Sequence, residues 1–231
     1  METSPTSAST SENRIDILDG WRTLAVLFMV VWHLWYDLHE RSIGSIVPTY
    51  YPYRLLRCAS VHSFLFLAGI SCTLSKNNLR RGGKLCGAAM LVSVAMLLAG
   101  DPVLFGILHL MALCTLLWAW GKPKGSVGPG LLCLALFAAL YPWLPEVRVN
   151  FDWLFWLGLR SNEFYSADYY PLLPWGLIFF AGGFLGDWLC EKLRGITLPR
   201  WFTWVGRHAL PIYLLHQPVL LFGIRLWERW A

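Results

Sequence analysis

Seven times along its 231 residues the chain runs through an apolar stretch that reaches or approaches bilayer-crossing length, and this recurrence fixes the fold class before any motif is read. The stretches cover residues 20–39, 59–75, 84–99, 103–120, 127–144, 172–190 and 209–227. Several are close to the short limit for a hydrocarbon core of ~30 Å, so tilt or local thinning is expected. Apolar residues make up 56% of the chain and charged residues 14%, against roughly 25% charged in soluble domains. The 14 tryptophans suit aromatic belts at headgroup level. The expected fold is all-α, a polytopic integral membrane bundle of about seven transmembrane helices. Its net charge of +5 does not call for nucleic acid, because Lys and Arg gather in particular loops, as orientation signals do.

Between these stretches the chain is sparsely decorated. Residues 1–13 are Ser/Thr-rich, with neither a basic segment nor an apolar one, and read as a disordered cytoplasmic tail rather than a signal peptide. Residues 14–231 then form one transmembrane domain. None of the six cysteines makes a Cys-x-x-Cys pair and most lie in apolar runs, which indicates neither a disulfide framework nor a zinc site. The longest connection, Pro145 to Pro171, contains an aromatic segment, Phe151 to Leu159, that is too short to span and suits the membrane interface or a re-entrant path. No internal repeat of the transporter kind is visible. Most of the 19 basic residues fall on the side of the N-terminus, which predicts an N-in, C-out arrangement.

The first apolar stretch carries an ionisable stripe. Arg22 and His33 are eleven residues apart, which returns to within about 20° on a helix and separates them by about 16 Å along its axis. Met29 falls near the same stripe, and Asp37 lies one turn beyond His33. Such groups are costly in lipid and should face a protein interior or a wet cavity. Asp37 could hold the His33 imidazole in one tautomer, leaving the ring to deprotonate an attacking amine or hydroxyl or to accept an acyl group itself. The competing reading is a His–Asp pair that only joins helices. Arg22 could bind a phosphate or anchor the interface by pairing with Asp19 one turn back.

The N-in arrangement puts His33 and His109 in the outer half of the membrane, Asp168 on the outer rim and Arg22 near the cytoplasmic face. His109 reads as a second acid/base, a substrate ligand or a packing residue. Asp168 reads as a ligand for a cationic acceptor or as the cap of the next helix. His216-Gln217-Pro218 places a proline that should break the seventh span. His208 reads as a solvated interfacial residue.

Taken together these motifs resemble a known family. Arg22 and His33, in the setting Leu18-Asp19-Gly20-Trp21-Arg22, are similar to the Arg/His signature of bacterial integral-membrane acyltransferases. Arg14 to Gly20, His33 to Leu38, Phe64 to Ile70, Phe105 to His109, Asp168 to Trp175 and Tyr213 to Pro218 together resemble bacterial relatives of the catalytic domain of heparan-α-glucosaminide N-acetyltransferase. The resemblance runs over residues 14–218 and implies acetyl-CoA-dependent acyl transfer across a bacterial inner membrane to an amine or hydroxyl of a sugar or glycan. It implies no permanently bound cofactor, with acetyl-CoA as co-substrate; no metal and no nucleic-acid partner are expected, and a homo-oligomer is compatible with it. On this reading His33, Asp37 and His109 carry the chemistry, while Arg22, Asp168, Trp175 and His216 bind substrate. The chain departs from the animal enzyme in its shorter length and fewer spans, so the named sugar does not carry over. A small proton-coupled transporter and a non-catalytic protein of the same fold are the rival readings.

Overall fold

Two helices touching backbone to backbone form the centre of the molecule. The computed structural model describes residues 15–41 and 51–230; the N-terminal tail expected over residues 1–13 lies outside these. Among the described residues there are eight α-helices: α1 (Asp16–Glu40), α2 (Tyr51–Leu74), α3 (Asn78–Leu98), α4 (Ile107–Gly121), α5 (Val127–Leu140), α6 (Leu172–Leu193), α7 (Arg200–Arg207) and α8 (Ala209–Trp230). α2 and α6 are the central pair. A Cβ on Gly69 would collide with the Phe179 carbonyl, and one on Gly182 with the Phe66 carbonyl, so these two glycines set the separation of the two helices. α4 and α5 pack on this pair, α3 on α4, and α1 on α2, with α7 and α8 closing against α1. Leu65, Leu110, Cys114 and Phe179 are fully buried where α2, α4 and α6 meet.

The outside is the inverse of a soluble protein. Leu27, Val31, Leu91, Leu131 and Phe222 are exposed, as expected for side chains whose solvent is lipid. The polar groups Asp19, Thr23, Asp37, Ser60, Thr115 and Thr203 are buried instead. All six cysteines are free thiols.

The helices differ in length from the seven expected stretches in two places. Five helices, α1, α2, α3, α6 and α8, are long and apolar enough to cross a membrane. α4 and α5, with 15 and 14 residues, reach only about 22 Å and 21 Å. α4 starts late because the loop beginning at Gly100 runs on to Gly106, and it stops at Lys122, whose left-handed backbone (φ 43°) precedes Pro123. α5 ends ahead of Pro142. Pro218 does not break α8, which runs unbroken through it; a proline removes one N–H donor, and a membrane helix whose remaining bonds are internal tolerates that loss. α7 is a further helix, one that the hydropathy pattern does not reveal. Its Thr203 and Gly206 are buried and its Trp201 and Trp204 exposed, as in an interfacial helix.

The 145–171 connection folds as a 3₁₀ turn followed by successive turns laid over the α4 and α6 N-termini. Ala167 N–H donates to the Pro102 carbonyl at 3.0 Å, and Tyr170 N–H to that of Phe105 at 2.9 Å. Leu172 N–H donates to the Trp156 carbonyl at 2.8 Å. These bonds fix Asp168, which lies between the first two, against the start of α4.

Candidate active site: two cavities sharing one wall

α1 brings Arg22 and His33 into two different cavities. The His33 cavity, of about 400 Å³, is lined by Met29, Trp32, His33, Asp168 and Trp175, with Arg57 and Arg160 also in its wall. The Arg22 cavity, of about 320 Å³, is lined by Asp19, Arg22, Arg81, Lys84 and Arg207. Phe64, Ile107 and Tyr213 belong to both linings. A partition of side chains is therefore common to a mixed polar and aromatic chamber and a basic one.

In the His33 cavity the tautomer follows from the hydrogen bonds. His33 Nδ1 lies 2.9 Å from the Met29 carbonyl, which can only accept, so Nδ1 carries the proton and the neutral ring keeps its lone pair on Nε2. That nitrogen has no hydrogen-bond partner among the described residues. Asp37 does not orient the ring, contrary to the expectation from its spacing. Both of its carboxylate oxygens accept from Gln217 Nε2, at 2.9 and 3.0 Å. The carbonyl one turn before His33 supplies the partner expected one turn after it. Through Gln217, Asp37 ties α1 to α8 beside His216. The His216 ring stands edge-to-face on His33, centroids 4.6 Å apart, and its own Nδ1 donates to the Tyr213 carbonyl. His216 Nε2 is buried without a partner among the described residues.

Asp168 lies in this cavity but also holds a helix. Its Oδ2 accepts from Ile107 N–H at 3.0 Å, so it caps α4 across 61 residues rather than the next helix, α6. Gly106 makes this approach feasible, since a Cβ there would strike the carboxylate. Burial raises the Asp168 carboxyl to about 6, against the opposing pull of the Ile107 N–H and the Arg57 charge. Trp175 stands among Tyr170, Tyr141, His62 and Phe137, with centroids 5.1 to 6.0 Å away, and presents a fixed aromatic wall. The Trp32 indole N–H is buried without an acceptor among the described residues.

His109 lines neither cavity. Its Nδ1 accepts from Gly106 N–H at 3.3 Å, and its Nε2 lies 3.1 Å from Ser93 Oγ, which in turn donates to the Val103 carbonyl at 2.6 Å. Both ring nitrogens are engaged, Nδ1 at the start of α4 and Nε2 on Ser93 of α3, in the tautomer opposite to that of His33. The packing alternative describes this geometry, and the acid/base one has no free nitrogen to use. His208 is exposed, as expected, with Nδ1 on the Trp204 carbonyl at 2.9 Å.

The Arg22 cavity holds more cations than the stripe implied. Arg22 pairs with Asp19 and donates to Ser71 Oγ at 2.8 Å. Arg207, from α7, reaches Asp19 at 3.3 Å and Asp16 at 3.2 Å. Among the described residues Arg81 donates only to neutral acceptors, the Ala68 carbonyl at 3.0 Å and Cys72 Sγ at 3.2 Å. Among the described residues neither Arg81 nor Lys84 has an acidic partner, and both continue into a shallow groove with Asn77 and Arg80. Arg81, Lys84 and Arg207 had been visible only as loop charges. The signal that could have found the first two is the Arg80-Arg81-x-x-Lys84 run, which sets Arg81 and Lys84 on one face at the start of an apolar helix.

No curated protein and no solved structure matches the chain. Residues 14–218 match the family described as heparan-alpha-glucosaminide N-acetyltransferase, catalytic. With this match and its long apolar helices, the chain is an integral membrane protein that belongs to this acyltransferase-like family.

Proposed function

We propose that this protein transfers an acetyl group from acetyl-CoA, bound from the cytoplasm in the Arg22 cavity of a bacterial inner membrane, to a hydroxyl or amine of a sugar held in the His33 cavity on the far side. The observation that carries this reading is the wall shared by a basic chamber and a histidine-bearing one. The four cations Arg22, Arg81, Lys84 and Arg207 together suit a polyanionic nucleotide donor. Trp175 and Trp32 suit a sugar ring, the first as a stacking face and the second through an N–H that has no acceptor among the described residues.

His33 Nε2 is the base. It takes the proton of the acceptor O–H or N–H while that oxygen or nitrogen attacks the thioester carbon. The C–S bond breaks, and the imidazolium returns its proton to the departing CoA thiolate. The same nitrogen would carry the acyl group if transfer ran in two steps. His216, in ring contact with His33, and Asp168 complete the acceptor side. Asp37 acts at one remove, by fixing α8 so that His216 stays against His33.

Melting of the detergent-purified protein with acetyl-CoA, CoA or ATP tests the donor. A ligand at 100 times its Kd stabilises by about 2.7 kcal/mol. The expected result is a shift with acetyl-CoA and CoA but not ATP, retained in His33→Ala while transfer to the acceptor is lost. No shift at millimolar acetyl-CoA would sink the reading, and acceptor flux into proteoliposomes without acetyl-CoA would replace it with transport.

A further inference from the structure

We infer that Phe64, Ile107 and Tyr213, the side chains common to both cavities, restrict the transferred group to a short acyl chain. The inference rests on the proposed acyl transfer and adds to it what the shared wall selects. A thioester arm in the Arg22 cavity must present its carbonyl to His33 Nε2 through this wall, because Arg22 and His33 open into separate chambers. Whatever lies beyond the carbonyl carbon then has to fit among three bulky side chains.

These side chains differ in how firmly they are held. Ile107 is 5% exposed and packs in the α2–α4–α6 core. Its backbone N–H is tied to Asp168, so it is a fixed post. Phe64 and Tyr213 face each other edge-on, centroids 6.3 Å apart at 87°. Tyr213 comes from α8, which is mostly exposed along its length, and it continues through His216 to His33 with successive centroids at 5.6 and 4.6 Å. A ring contact at 6.3 Å leaves no room for a chain between the two faces, so each added methylene must displace a side chain. Close-packed interiors resist that displacement. One methylene in such a pocket changes the rate by roughly 10- to 200-fold.

The test is the rate of transfer from acetyl-, propionyl-, butyryl- and hexanoyl-CoA to one acceptor. It is run for the wild type, Ile107→Ala, Phe64→Leu and Tyr213→Phe. In the wild type the rate should fall at least about tenfold for each added methylene. The butyryl-to-acetyl ratio should rise at least about tenfold in Ile107→Ala, and in Phe64→Leu as the second truncation should Ile107→Ala fail to fold. Tyr213→Phe, which keeps the ring, should leave the ratio where it was. Reading a ratio separates selection from simple loss of fold, which lowers all four rates together. Comparable acetyl and butyryl rates in the wild type, or an unchanged ratio in the truncations, would overturn the inference and leave acyl transfer standing. Neither CoA binding nor transfer from any thioester would overturn both.

Discussion

Replacing Asp168 by Asn should stabilise this protein, and only above a defined pH. The carboxyl titrates at about 6 in the fold because it is buried, against about 3.9 when unfolded. Between these values the folded state holds a proton that the unfolded state has released, so raising the pH through that window removes stability. The loss is complete above about pH 6 to 7, and absent below about pH 4, where both states are protonated. At about 1.4 kcal/mol per pH unit, the two-unit gap sets a ceiling of about 3 kcal/mol. Asn is neutral throughout and keeps a side-chain oxygen for the Ile107 N–H, so the capping bond at 3.0 Å survives the change. The variant should therefore match the wild type near pH 4 and melt several degrees higher at pH 7.5. Tryptophan fluorescence in detergent reads this directly, with 14 reporters in the chain. A wild-type-minus-variant difference that stays flat from pH 4 to 8, or that favours the wild type as pH rises, would refute the argument from burial.

Two further outcomes separate structure from chemistry. His109→Ala should cost about 1–2 kcal/mol of stability through the lost α4 cap, with kcat largely retained, whereas a catalytic His109 would lower kcat without moving the melting temperature. Lys84→Ala should weaken acetyl-CoA binding by roughly tenfold, since this lysine is free of acidic partners among the described residues; the deficit should narrow at high salt, and equal affinities at low salt would exclude it from the donor site.

How much of this was legible in the sequence depends on the range of the interaction. α1, α6 and α8 follow from hydropathy because a membrane helix must carry its own hydrogen bonds and a continuous apolar surface. The Arg22–His33 spacing marked out two residues that each line a cavity, but not that the cavities are different ones. What failed was the local inference of partners. Asp37 sits one turn from His33, yet its partner is Gln217, 180 residues away, and no periodicity reports such a pairing. Asp168 was rightly suspected as a cap, but its helix is α4, reached through the chain's longest connection. His109 was decidable in principle, because a side chain three residues into a helix returning to the preceding N–H is a local pattern. α7 was hidden for a different reason. Eight residues with an arginine at each end read as a loop until Thr23 is seen taking the Gly206 N–H at 3.0 Å.

The short α4 is the departure that makes the site. A helix that ran the full thickness would have carried its first turn to the end of the bundle, and its N-terminal N–H groups would have met solvent or headgroups. Instead α4 begins at Ile107, whose side chain lies in the wall between the two cavities. A helix start placed inside the protein leaves N–H groups that must be satisfied there. Asp168 takes one at Ile107, and His109 takes the Gly106 N–H that precedes it. Gly106 must lack a side chain for Asp168 to reach that far. The same polar groups that pay for the internal helix end also hold Ile107 as a fixed post and bring a carboxyl to the His33 cavity. Lengthening α4 by a turn would put helix where the cavities now approach each other. Its fifteen residues, which start the helix at Ile107 in the shared wall, are therefore part of the site on which the transfer reading depends.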